Sequence, residues 1–253
     1  MHELLSIHPV AEGVWRFHEA SPFSAVDAYL VVGADRALMI DALESCTGLV
    51  EEARKLTDRP LSLAVTHGHF DHGGAALDEF IQAGCPVYME PEDIPVLEEH
   101  RHMRWPEGTF LPYPKAFDLG GVKLEAYRLP GHTPGSVVLL DRENARLYSG
   151  DAVGSGGFWM QLEECLSLQT FLENLRAFRA RLEPLADVTL YPGHIDQSPV
   201  PLTTAYLDDV ETAVVDVLEG RAPANDQVMQ LNGKMLPFRI HSVGLLSGMW
   251  YKY

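Results

Sequence analysis

Hydrophobic and polar positions along this chain switch repeatedly between a period of two and a period of about 3.6. Val14 to Phe17, Ala28 to Val32 and Ala37 to Ile40 read as strands, and Gly33-Ala34-Asp35 between the last two predicts a hairpin. Residues 47–56 predict a helix. Leu61 to Val65 is too short an apolar run for a helix and predicts a buried strand. Residues 74–83 place Leu77, Phe80 and Ile81 on one helical face. Pro86 to Met89 predicts another strand. Pro91-Glu92-Asp93 then opens a helix running to about Met103, with acidic residues suited to its N-terminus.

Residues 104–116 carry Pro106, Gly108, Pro112 and Pro114 among aromatics and predict an ordered loop. Lys123 to Leu129, Ser136 to Leu140 and Arg146 to Ser149 follow as hairpin strands. Leu168, Phe171, Leu172, Leu175, Phe178 and Leu182 form an amphipathic helical stripe, read as core packing. Val188 to Tyr191 is a strand, Leu202 to Leu218 a second long helix, and the apolar tail from Leu236 to Tyr253 adds a strand or covers an edge. No composition break marks a linker, so residues 1–253 are expected to form one domain. Two β-rich halves with helices outside predict an α/β fold, a four-layer αβ/βα sandwich.

Composition narrows the partners. With 46% hydrophobic and 22% charged residues the chain is an ordinary globular one. Its 36 acidic against 19 basic residues give a net charge of −17, which repels phosphate backbones and anionic membranes. Neither nucleic acid nor a membrane is therefore an expected partner. Cys46, Cys85 and Cys165 are widely spaced and include no CxxC, so they read as reduced thiols rather than a disulfide framework or zinc knuckle. The start lacks a basic segment followed by an apolar one, and no apolar run approaches the ~18 residues that span a bilayer. A cytoplasmic location is expected.

The chemistry is concentrated at strand ends. Thr66-His67-Gly68-His69-Phe70-Asp71-His72 sets four coordinating side chains within six residues directly after an apolar strand. Imidazole and carboxylate suit zinc, manganese or iron. Gly131-His132-Thr133-Pro134-Gly135-Ser136, Ser149-Gly150-Asp151 and Tyr191-Pro192-Gly193-His194 repeat the theme, each after a strand and each with a glycine that permits close backbone approach. A lone histidine at a strand end is usually structural; four such segments in order are not so readily explained.

With Asp41 in Met39-Ile40-Asp41, these segments resemble the metallo-β-lactamase superfamily over nearly the whole chain. The resemblance implies two adjacent divalent metals, zinc first, with manganese or iron(II) as alternatives. His67, His69 and His132 would hold one, Asp71, His72 and His194 the other, and Asp151 would bridge both. Asp41 would organise the loop from behind the ligands, and Thr66, Thr133 and Ser136 are candidate supporting hydroxyls. Such a pair activates a bridging water, with Asp71 as the catalytic residue that orients it or passes on its proton. The expected activity is metal-dependent hydrolysis of a lactone, thioester, ester or amide of a small acyl substrate. Asp151 disfavours the lactamases with a cysteine at that position; the ligand set is shared by hydroxyacylglutathione hydrolases (glyoxalase II) and acyl-homoserine lactonases. The few basic residues after Arg221 weaken the glutathione-specific version.

Substrate-pocket candidates are Trp105 and Tyr113 on the proline-rich loop, Phe158, Trp159 and Met160 after the bridging aspartate, and His241 as a donor from the tail. Trp250, Tyr251 and Tyr253 form a candidate homodimer surface. The competing readings are a mononuclear non-haem iron dioxygenase resembling the persulfide dioxygenases, using two histidines and Asp151, and a non-catalytic metal-sensing protein.

Overall fold

The computed structural model describes residues 4–20, 25–185, 187–231 and 233–252. In chain order the elements are β1 (Leu5–Ala11), β2 (Val14–Ala20), β3 (Ala25–Val32), β4 (Ala37–Ile40), α1 (Leu49–Leu56), β5 (Leu61–Ala64), α2 (Leu77–Gln82), β6 (Val87–Tyr88), α3 (Ile94–Arg101), β7 (Ala116–Asp118), β8 (Lys123–Arg128), β9 (Val137–Asp141), β10 (Arg146–Gly150), β11 (Gly157–Met160), α4 (Leu168–Leu182), β12 (Thr189–Pro192), α5 (Thr204–Leu218), β13 (Gln227–Leu231), β14 (Lys234–Val243) and β15 (Leu246–Tyr251).

The strands make a six-stranded sheet in the order β1-β2-β3-β4-β5-β6 and a five-stranded sheet in the order β12-β10-β9-β8-β7. β4 explains the layering. It is apolar at every position because both its faces are covered. Ala37 and Met39 pack with Leu49, Ala53, Leu77, Phe80 and Leu97 of α1, α2 and α3. Leu38 and Ile40 point the other way, against Leu124, Val137, Leu139 and Tyr148 of the second sheet. In β9, Leu139 joins that middle layer while Val138 and Leu140 face Phe171, Leu175 and Phe178 of α4 and Tyr206 and Val210 of α5. The result is helix, sheet, sheet, helix, the expected α/β sandwich.

The tail adds strands, one of the two outcomes expected of it, and builds more than one. Residues 236–252 do not simply cover an edge. β14 and β15 join β11 and β13 in a third sheet of order β11-β15-β14-β13, with β11 and β15 parallel. Trp159, Trp250 and Phe238 stack along it, with ring centroids 5.1 and 4.7 Å apart. Tyr253, part of the candidate dimer surface, lies outside the described residues. Strand β1, a partner of β2, was not evident in the sequence pattern. The helix expected from Pro91 begins as one 3-10 turn, Pro91–Asp93. Asp93 does not decorate the helix surface but is fully buried. Among the described residues no helix is long and apolar enough to cross a membrane.

Candidate metal centre

Asp41, the His67–His72 segment, His132, Asp151 and His194 follow β4, β5, β8, β10 and β12, so both main sheets deliver side chains to one rim. Two glycines make the convergence possible. A Cβ on Gly193 would lie 2.3 Å from His72 Cε1 and 2.5 Å from Asp151 Oδ1, and one on Gly150 would lie 2.3 Å from Thr66 Oγ1. Asp41 itself sits at φ 66°, a left-handed conformation that aspartate tolerates better than most residues.

The hydrogen bonds fix the tautomers. The Thr66 hydroxyl donates to Asp41 Oδ2 (2.9 Å), so it accepts from His67 Nδ1 (3.1 Å) and leaves His67 Nε2 bare. His132 Nδ1 donates to the Trp159 carbonyl at 2.7 Å, which bares Nε2. His69 Nε2 donates to Glu164 Oε1 at 2.8 Å, which bares Nδ1. These three bare nitrogens converge: His69 Nδ1 lies 3.1 Å from His67 Nε2 and 3.0 Å from His132 Nε2.

A second set lies beside them. His72 Nδ1 donates to Asp41 Oδ2 (2.8 Å) and His194 Nδ1 to the Ala25 carbonyl (2.6 Å), so both turn Nε2 towards the set. His194 Nε2 is 3.4 Å from Asp71 Oδ2 and 3.2 Å from Asp151 Oδ2; His72 Nε2 is 3.5 Å from Asp151 Oδ1. Asp151 also reaches 3.9 Å from His132 Nε2, so its two oxygens span both sets. Ligand atoms within 4.8 Å of one another form the groups His67/His69/His132, His67/His72/Asp151, Asp71/His72/His194 and, behind the first, His69/His100/Glu164.

The two sets differ electrostatically. Burial, with the neighbouring imidazoles adding to it, holds His67 well below its ordinary value and pushes His132 down to about 4. Burial also pulls on His72 and His194, but Asp151 and Asp71 outweigh it and hold both well above the ordinary histidine value. Asp71 and Asp151 are buried too, yet His72 and His194 keep both below the usual carboxylate range.

The surrounding residues are placed as follows. Asp41 accepts from the Thr66 backbone N–H (2.7 Å) and hydroxyl as well as from His72. Thr133 and Ser136 touch no imidazole; they bond each other at 2.7 Å and shape the His132 loop through Asp93. Asp93 ties the two histidine loops together, accepting from Gly68 N–H (2.8 Å), Gly135 N–H (2.6 Å) and the Thr133 hydroxyl (2.6 Å). A cavity of about 510 Å³ opens on Asp71, His132, Asp151 and His194, walled by Phe70, Phe158, Trp159, Leu162 and Leu231. A cleft of about 580 Å³ lined by Asp35, Arg36, Tyr88 and Phe117 holds none of these ligand types in a cluster, so volume alone does not locate the chemistry.

Of the pocket candidates, Phe158 and Trp159 line the cavity and four others do not. Trp105 donates to Asp78 and packs on Phe110. Tyr113 spends its hydroxyl on the Val65 carbonyl at 2.9 Å. Met160, one residue beyond Trp159 on β11, turns its side chain into the core under α4, as strand alternation requires. His241 is bonded to Asp216 at 3.0 Å. Sequence reasoning missed Glu164, Asp93, Leu162 and Leu231, whose spacing to the histidines has no short-range pattern, and gave no wall role to Phe70 inside the histidine string. His100 also lines the cavity and stacks on His69 at 4.8 Å.

Known proteins place this architecture. Residues 21–194 match the model of the metallo-beta-lactamase superfamily. A hydroxyacylglutathione hydrolase of Haemophilus influenzae is 27% identical over 177 residues, 62% of this chain and 79% of that protein. An acyl-coenzyme A thioesterase of Gallus gallus is 28% identical over 183 residues, 58% of this chain and 65% of that protein. A metallo-beta-lactamase structure from Pontibacter korlensis superposes with a TM-score of 0.64 at 20% identity, covering 84% of this chain and 99% of the other. With its family match running from before Asp41 to His194, this chain belongs to the metallo-β-lactamase superfamily.

Proposed function

We propose that this protein is a dinuclear metal-dependent hydrolase that cleaves a thioester, lactone, ester or amide of a small acyl substrate. The observation that carries the reading is the pair of donor sets. His69 Nδ1 lies 3.1 and 3.0 Å from the bare Nε2 atoms of His67 and His132, and such lone pairs repel one another unless a cation lies among them. His72 Nε2 and Asp151 Oδ1 are buried with no hydrogen-bond partner among the described residues. His67, His69 and His132 fit one divalent cation, Asp71, His72 and His194 a second, and Asp151 reaches both. Nitrogen and carboxylate oxygen without thiolate suit zinc, with manganese and iron(II) next. Such cations, when bound, lower the pKa of a held water from 15.7 to about 7 and polarise the substrate carbonyl.

The chain's own residues do the rest. Asp71 faces the cavity and is kept ionised, so it can orient the attacking water and carry a proton towards the leaving group. Phe158, Trp159, Leu162 and Leu231 offer an apolar wall for the acyl portion and exclude water from the reacting centre. The thioesterase named for one relative supports placing a thioester in the substrate panel.

Two measurements test the reading. Elemental analysis of protein purified without added metal should give two equivalents per chain. A panel of thioesters, lactones, esters, β-lactams and phosphodiesters should show turnover on acyl substrates, lost to a chelator and restored by zinc. One equivalent of iron with oxygen-dependent turnover would replace this reading with the dioxygenase one.

A further inference from the structure

Each donor set contains one imidazole backed by a carboxylate, and the other histidines are backed only by neutral oxygens. In the second set the backed ligand is His72, held by Asp41. In the first it is His69, whose Nε2 lies 2.8 Å from Glu164 Oε1. His69 is also the one histidine of the five that turns Nδ1, not Nε2, towards its set. Imidazoles isomerise between two neutral tautomers, so a ligand facing inward by Nδ1 requires an acceptor on Nε2. Glu164 supplies it from the loop between β11 and α4, with its carboxylate mostly buried. His100 stacks on the His69 ring and sits 3.4 Å from the same carboxylate oxygen, which limits rotation of both partners.

We infer that Glu164 is a positioning residue for the first metal: it holds His69 in the Nε2–H tautomer and makes its Nδ1 a stronger donor, the part Asp41 plays for the second. The inference rests on the two-metal reading. A carboxylate behind a ligating histidine contributes about 10–100-fold in metal affinity, and here the effect should fall on one site only.

The test is a stepwise cobalt(II) titration of the metal-stripped full chain, followed by visible absorption and chelator competition. Glu164→Ala should weaken the first-set cation about 10–100-fold and leave the second within about threefold. Glu164→Gln, which keeps an acceptor oxygen without the charge, should fall between Glu164→Ala and the unaltered protein. His100→Leu should change the first cation by less than about threefold, since the shorter bond to His69 remains. Asp41→Asn should weaken the second cation more than the first, because Asp41 holds His72 directly and His67 only through Thr66. Nitrogen-15 spectra of metal-free protein should show His69 protonated at Nε2, and a mixture of tautomers in Glu164→Ala. Equal weakening of both cations, unchanged first-set affinity, a larger effect from His100→Leu, or a third cation lost with Glu164 would each overturn the inference. A single cation per chain would overturn the two-metal reading instead, and the Glu164 variants would still be judged on that one cation.

Discussion

The two donor sets lie side by side but are built from opposite electrostatics. The first, His67, His69 and His132, is an all-imidazole set in which burial and the neighbouring rings hold His67 and His132 below the ordinary histidine value. The second, Asp71, His72 and His194 with Asp151, is a charge-compensated cluster in which the histidines hold protons strongly because carboxylates face them. Neutral lone pairs accept a cation without first losing anything. The second set must surrender protons to take one. The difference predicts that the first cation binds more readily and that the second is the labile one.

Asp151 is where the comparison can be broken most severely, because its oxygens reach both sets. Asp151→Ala should lower kcat/KM by about 10³-fold, the several kcal/mol of charge stabilisation that bound metal contributes. Normal turnover in that variant would remove the shared carboxylate from the reading.

Gly193→Ala should separate the sets. Its methyl group would press on His72 and Asp151, so second-cation affinity should fall by at least about 100-fold while the first is retained, as read by calorimetry. Similar loss of both cations would show that the sets are not independent.

Acid should act in the same direction. His72 and His194 titrate above the ordinary histidine value, so protons compete for the second set already above pH 6.5 and more strongly below it. Each displaced proton costs about tenfold in affinity per pH unit. Burial pushes His132 down to about 4 and also lowers His67, so first-cation affinity should fall less steeply with acid than second-cation affinity. Metal titrations at pH 6, 7 and 8 in buffers of different ionisation enthalpy would report both the slope and the protons released.

The smallest expected effect lies outside both sets. Trp159→Ala should lower kcat/KM for apolar acyl substrates by about tenfold, from lost contact area, with no change in metal content. Unchanged kinetics across the panel would show that β11 only frames the cavity.

Much of this molecule could be read before folding. Leu61 to Val65 announced a buried strand, and the histidine string after it was visible because His67, His69, Asp71 and His72 are neighbours in sequence. His132, Asp151 and His194 were legible for the same reason, each being a short glycine-flanked segment after an apolar run. Trp105, Tyr113 and His241 were misplaced because an aromatic or histidine in a loop carries no record of its hydrogen-bond partner, which in each case lies elsewhere. The third sheet was missed because its strands, β11 and β15, are distant in sequence and each is short.

The sequence by itself therefore determined the layers and which segments carry the candidate ligands, since both depend on local periodicity and near-neighbour spacing. Only the tertiary structure decided how those side chains are tuned. Glu164 reaches His69 across 95 positions and Asp93 binds Gly135 across 42. Tautomer, charge and proton affinity depend on such through-space partners at about 3 Å, and chain order places no limit on which residues they are.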